Sequence, residues 1–92
     1  MHSRAGHFRR ELLPDAVGYF EQSGLRLMGR GRWRSAVCPF HDDHTPSLRV
    51  NMETGAFRCM ACDAKGGDVL AFHRLRYGLM FKEAAQALGA WR

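Results

Sequence analysis

Three cysteines and one histidine in this chain fall at spacings that suit a tetrahedral metal ion. Cys38 and His41 form a Cys-x2-His pair, and Cys59 and Cys62 form a Cys-x2-Cys pair after 17 intervening residues. Each short-spaced pair can sit on a tight turn with both donor atoms facing one point. Cys38, His41, Cys59 and Cys62 are therefore predicted to hold one zinc ion. With four protein ligands the coordination sphere is closed, whereas a hydrolytic zinc keeps a position for water, so the metal is expected to be structural. His44 is the rival ligand at a longer spacing, but Cys-x2-His sits better on a zinc turn. Asp42 and Asp43, adjacent on a polar loop, read as solvated groups or partners of a ligand histidine rather than as a magnesium pair. No phosphate-binding GxxxxGK[ST] loop, GxSxG elbow or spaced pair of acidic motifs occurs, and no catalytic residue is expected.

The elements that must position these donors have little core to draw on. A chain of 92 residues is one domain, and at that size only about 60–65% of the unfolded chain's surface is buried. Bound zinc supplies the missing stability in such small folds. An odd number of cysteines, three, argues against a disulfide framework and for thiols kept reduced in the cytoplasm. Neither a signal-peptide pattern nor an apolar run of membrane-spanning length is present, so no membrane partner is expected. The formal charge of +5 becomes +4 if three thiolates and one dication are added (−3 + 2 = −1). A small basic domain is compatible with nucleic acid, although the charge alone decides nothing.

Residues 1–11 lack periodicity and are expected to form a basic flexible arm, either touching phosphate or doing nothing, with the domain proper over 12–92. Pro14, Asp15, Leu13, Val17 and Phe20 predict a short helix over about 14–22, stopped by Gly24. Leu25 to Met28 and Trp33 to Val37 read as a hairpin around Gly29 to Arg32. Trp33, ringed by Arg30, Arg32 and Arg34, either stacks a base or packs on the zinc-site core. Residues 47–51 and 56–59 alternate and form a second hairpin through Gly55. Leu48, Val50, Phe57 and Cys59 share one face, and Arg49 and Arg58 fall on the other, which is either plain solvent face or a binding surface. A loop over 64–67 leads to a helix opened by Asp68 and ended by Gly78, in which His73 reads as a packed histidine. Phe81, Ala84, Ala85 and Leu88 mark a last helix expected to pack back on the sheet, with Trp91 sealing that packing or left for a partner.

Cys38-Pro-Phe-His41, Thr45-Pro-Ser47, Phe57-Arg-Cys59-x-x-Cys62, Gly66-Gly67-Asp68 and Phe81-x-x-Ala84-Ala85-x-x-Leu88 occur together and in order. In these residues the chain resembles the zinc-binding domain of bacterial (DnaG-type) and phage DNA primases over about residues 12–90. The resemblance implies an α+β zinc ribbon: a small antiparallel sheet with the metal at one end and helices packed on it. It also implies a module that engages single-stranded template DNA for RNA primer synthesis. The Toprim-type polymerase domain of a full primase does not follow here, so a primase catalytic domain or a helicase is expected as a partner in trans. The DNA contacts are expected at Arg34, Arg49, Arg58 and Lys65 for phosphates, with Trp33 or Phe40 as a stacking platform. The competing expectation is a zinc-ribbon adaptor that docks on a protein through the last helix and Trp91.

Overall fold

A computed structural model of the chain describes residues 6–42 and 44–92. Residues 1–5 of the expected arm and Asp43 lie outside the described residues. Four strands form one antiparallel meander in the order β1 (Trp33–Ala36), β2 (Leu48–Asn51), β3 (Phe57–Cys59) and β4 (Lys65–Gly66). Helix α1 (Ala16–Gln22) precedes the sheet, and α2 (Val69–Tyr77) and α3 (Phe81–Ala87) follow it. No helix among the described residues is long and apolar enough to cross a membrane.

The alternation in β2 and β3 sets the register. Leu48 pairs with Cys59 and Val50 with Phe57, all four buried, while Arg49 pairs with Arg58 on the exposed face. The connecting turn is held by the buried Asn51, whose side-chain oxygen accepts the Glu53 and Thr54 N–H groups at 2.8 and 3.0 Å. Gly55 closes it at φ +85°, a conformation that costs a residue with a Cβ. On the inner face Phe72 of α2 is the hub. Its ring centroid lies 5.1 Å from Phe20 of α1, 5.0 Å from Phe57 and 5.1 Å from Phe40, each pair edge to face. Such pairs add about 0.5–1.5 kcal/mol each beyond area burial.

Both helices facing the sheet begin at an aspartate. Asp15 accepts the Gly18 N–H at 2.7 Å and Asp68 the Ala71 N–H at 2.8 Å, each satisfying one orphan donor of the first turn. Because Asp15 is the cap, α1 starts at Ala16, two residues later than Pro14 suggested. Gly78, at φ +65°, ends α2 as expected.

The fold departs from the sequence reading in four places. The loop expected over 64–67 contains β4, in which Lys65 pairs with Arg58 and Gly66 with Phe57. A Cβ on Gly66 would stand 2.6 Å from both Ala71 Cβ and the Phe57 ring, so only glycine lets this strand lie against α2. Helix α3 packs on α2 rather than on the sheet, whose inner face α1 and α2 already cover. Leu70, Ala84 and Ala85 form a separate buried cluster, closed by Phe8, Leu13, Leu79, Leu88 and Trp91. The first expected hairpin contracts to one bridge, Met28 with Ser35, its two hydrogen bonds at 2.8 and 2.9 Å. Finally, residues 7–9 of the expected flexible arm are tied down. His7 and Arg9 donate to the Arg92 and Ala90 carbonyls at 2.7 Å each, and the Phe8 ring packs 5.0 Å from Phe81.

Candidate metal centre and nucleic-acid interface

Cys38 leaves the end of β1, Cys59 closes β3, and the turns after them carry His41 and Cys62. The four donor atoms lie within 4.8 Å of one another. Two sulfurs each about 2.3 Å from a tetrahedral centre stand about 3.8 Å apart, and Cys38 Sγ and Cys62 Sγ are separated by 3.7 Å. That spacing fits shared metal ligands and is far beyond a disulfide bond of about 2.05 Å. Three thiols and one imidazole with this spacing suit one zinc ion. His44, the rival donor, stands outside the cluster with its side chain 91% exposed and its Nε2 3.9 Å from Asp42.

The turns aim backbone dipoles at the sulfurs. Phe40 N–H donates to Cys38 Sγ, and the Ala61 and Cys62 N–H groups donate to Cys59 Sγ, all at 3.4 Å. Burial dominates at Cys38 and pushes its thiol up to about 12, against the Phe40 N–H and with the help of the neighbouring Cys59 and Cys62 sulfurs. Burial also acts to raise Cys59, but the Ser47 hydroxyl at 3.5 Å and the two N–H groups outweigh it and bring the thiol down to about 6. Burial opposes ionisation at Cys38, so metal uptake must displace a proton from its thiol.

On the opposite face of the sheet, Ser35, Arg49, Arg58 and Lys65 are successive cross-strand partners, one from each strand. They form a row perpendicular to the strands. Neighbouring strands are about 4.8 Å apart, so the three basic side chains leave the backbone within about 10 Å of one another. Like charges directly opposite one another destabilise a sheet. Arg58 pairs with Asp63 at 3.2 Å, while Arg49 and Lys65 have no carboxylate partner among the described residues. Trp33 shares this face, two residues along β1 from Ser35.

Two expected contacts are not in this set. Arg34 pairs with the buried Val50 and so faces the other side of the sheet, its Nε donating to the Gly31 carbonyl at 3.0 Å. Phe40 is half-buried and committed to the core, against Phe57 and Phe72. Met60, which sequence reasoning missed, lines a shallow depression with Trp33, Arg49 and Arg58. A single methionine after a ligand cysteine follows no periodic pattern that would have flagged it. Trp91 seals the packing of α3.

His73 is a packed histidine, as expected. Its Nδ1 lies 2.8 Å from the Tyr19 hydroxyl, in a hollow between α1 and α2. Burial, with Tyr77 nearby, pushes the Tyr19 phenol up to about 12. Burial, with Arg76 beside it, holds His73 below the ordinary imidazole range.

Residues 16–91 match the family model described as the CHC2 zinc finger, a DnaG zinc ribbon. The chain is 39% identical over 72 residues to the DNA primase of Listeria monocytogenes, covering 78% of this chain and 11% of that one. It is 40% identical over 76 residues to the DNA primase of Mycolicibacterium smegmatis, covering 83% of this chain and 11% of that one. The chain therefore spans about a ninth of the length of these primases. A solved structure of the Aquifex aeolicus primase, comprising its zinc-binding and RNA polymerase domains, superimposes with a TM-score of 0.71 at 34% identity. That match covers 86% of this chain and 20% of the other.

Proposed function

Since the chain belongs to the CHC2 zinc-finger family, as a DnaG-type zinc ribbon, we propose that it is a template-binding module that holds single-stranded DNA for RNA primer synthesis. The bond-forming chemistry is supplied by a separate catalytic domain. The observation that carries this reading is the row Arg49, Arg58, Lys65 on the exposed sheet face. Three adjacent like charges that share one exposed counter-ion, Asp63, oppose folding, whereas a polyanion laid across the strands would neutralise the row. The zinc ion's part is architectural. By joining the end of β1 to the β3–β4 turn it fixes the strands that display the row.

Binding to short single strands, followed by gel shift and by anisotropy over a range of salt, tests the proposal. Log K should fall against log salt with a slope near −2, about 0.7 for each of three phosphates. Primer synthesis by a primase polymerase domain should rise when the zinc-loaded chain is added. Absence of any shift at low salt, or a flat salt response, would overturn the reading.

A further inference from the structure

The depression on the basic face has a chemistry of its own. It occupies about 230 Å3, is lined by Trp33, Arg49, Arg58 and Met60, and its walls are almost entirely carbon. Trp33 is 43% exposed and Met60 66% exposed, so two large apolar side chains are left open to water on the most highly charged face of the sheet. The arginines provide the rest of the lining, their methylene stems along the apolar surface and their guanidinium heads free to reach solvent. The hollow is smaller than the roughly 300–1,000 Å3 of pockets for drug-sized ligands.

We propose that this depression is a slot for one unpaired nucleobase, stacked on the Trp33 indole and closed by the Met60 thioether, with the flanking phosphates on the Arg49, Arg58, Lys65 row. The assignment deepens the single-stranded DNA reading above and rests on it. An occupant must bring a flat apolar ring together with repeated negative charge, because the slot is continuous with three cations. An apolar peptide side chain meets the first requirement and fails the second. A base in a single strand meets both, with its π-face on the indole and its backbone on the guanidinium groups. The thioether suits the same ring, since sulfur makes favourable contacts at aromatic edges. The arginine heads are the polar side-chain groups of the lining and also the proposed phosphate ligands.

The test uses the zinc-loaded full chain, short oligothymidylate, and a strand of equal length made of abasic sugar-phosphate. Oligothymidylate should bind roughly tenfold more tightly than the abasic strand, with the same salt slope, because the charges are identical. Trp33→Ala should abolish that difference and leave abasic binding unchanged. Trp33→Phe should restore most of it, and Met60→Ala should remove a smaller part. In a Trp91→Phe background, Trp33 emission should be quenched by oligothymidylate and not by the abasic strand. Equal affinity for the two strands, or a saturated oligothymidylate complex with unquenched Trp33, would overturn the slot while leaving the phosphate row standing. Failure of both strands to bind at low salt would overturn the slot and the template-binding reading together.

Discussion

Arg49 and Arg58 face each other as cross-strand partners at the middle of the exposed sheet face, and Lys65 continues the line on β4. A sheet that only had to fold would gain by alternating charge there. Arg49→Ala with Arg58→Ala should reduce the single-strand salt slope from near −2 to near −0.7, as about one phosphate contact remains. The melting temperature should hold steady or rise slightly as the repulsion is relieved. Anisotropy over a salt series, with calorimetry of the same samples, checks both. Unchanged affinity would remove this face from consideration.

Asp63 is the counter-ion that the row already possesses. Its carboxylate lies 3.2 Å from Arg58, and both side chains are largely exposed at 57% and 73%. A phosphate arriving at Arg58 must displace it. Asp63→Asn should therefore tighten single-strand binding, by at most about fivefold given the usual worth of exposed ion pairs. Asparagine tolerates the φ of +64° that residue 63 adopts, so the fold should survive. A titration of both proteins at low and moderate salt decides the matter, with the gain largest at low salt. Weaker binding by the variant would show that Asp63 helps to orient Arg58 instead.

Metal removal should unfold the domain. Structural zinc contributes about 10–16 kcal/mol at neutral pH, which rivals the whole stability of about 5–15 kcal/mol of an ordinary domain. The core supporting this sheet is one small cluster of aliphatic and aromatic side chains around Phe72. A strong chelator should abolish cooperative melting in calorimetry and reduce far-UV ellipticity, and zinc should restore both. Cys59→Ala should reproduce the loss permanently. Because burial pushes Cys38 up to about 12 while its neighbours bring Cys59 down to about 6, zinc uptake at pH 7 should release a proton from Cys38. Calorimetric titration in two buffers of different ionisation enthalpy measures that release. A cooperative transition that persists in chelator would refute the architectural role.

How far the sequence reveals this fold depends on how local each determinant is. The four zinc donors are legible because each pair is fixed by a four-residue turn, and a turn needs no distant partner. The Arg49 and Arg58 face is legible because period-two alternation assigns faces before any pairing is known. Strand β4 is not legible, since Lys65–Gly66 has no strand propensity and exists only through pairing with β3. The partner of α3 is undetermined for a related reason. A stripe built on Ala84 and Ala85 fits any close surface, and Leu70 of α2 provides one. Residue type alone does not place Arg34 and Phe40. Their real sides depend on the register of Arg34 with Val50 and on the position of Phe72.

His73 should make the domain sensitive to mild acid in a way separable from the zinc site. Burial and the neighbouring Arg76 hold its folded-state pKa below the ordinary value, while in the unfolded chain it titrates near about 6.5. Below that pH the unfolded state takes up a proton that the folded state resists. The contribution of neutral His73 is therefore fully present above about pH 6.5 and is lost as pH falls through the lower folded value. His73→Gln keeps a hydrogen-bonding partner for the Tyr19 hydroxyl, 2.8 Å away in the native pair, and removes the titration. Unfolding free energy measured in denaturant from pH 7.5 downward should fall more steeply for the native chain than for His73→Gln, although both share the protonation of the zinc thiolates. Parallel curves through that window would mean that His73 takes a proton without cost, and that Tyr19 can release Nδ1 without disturbing the packing of α1 on α2.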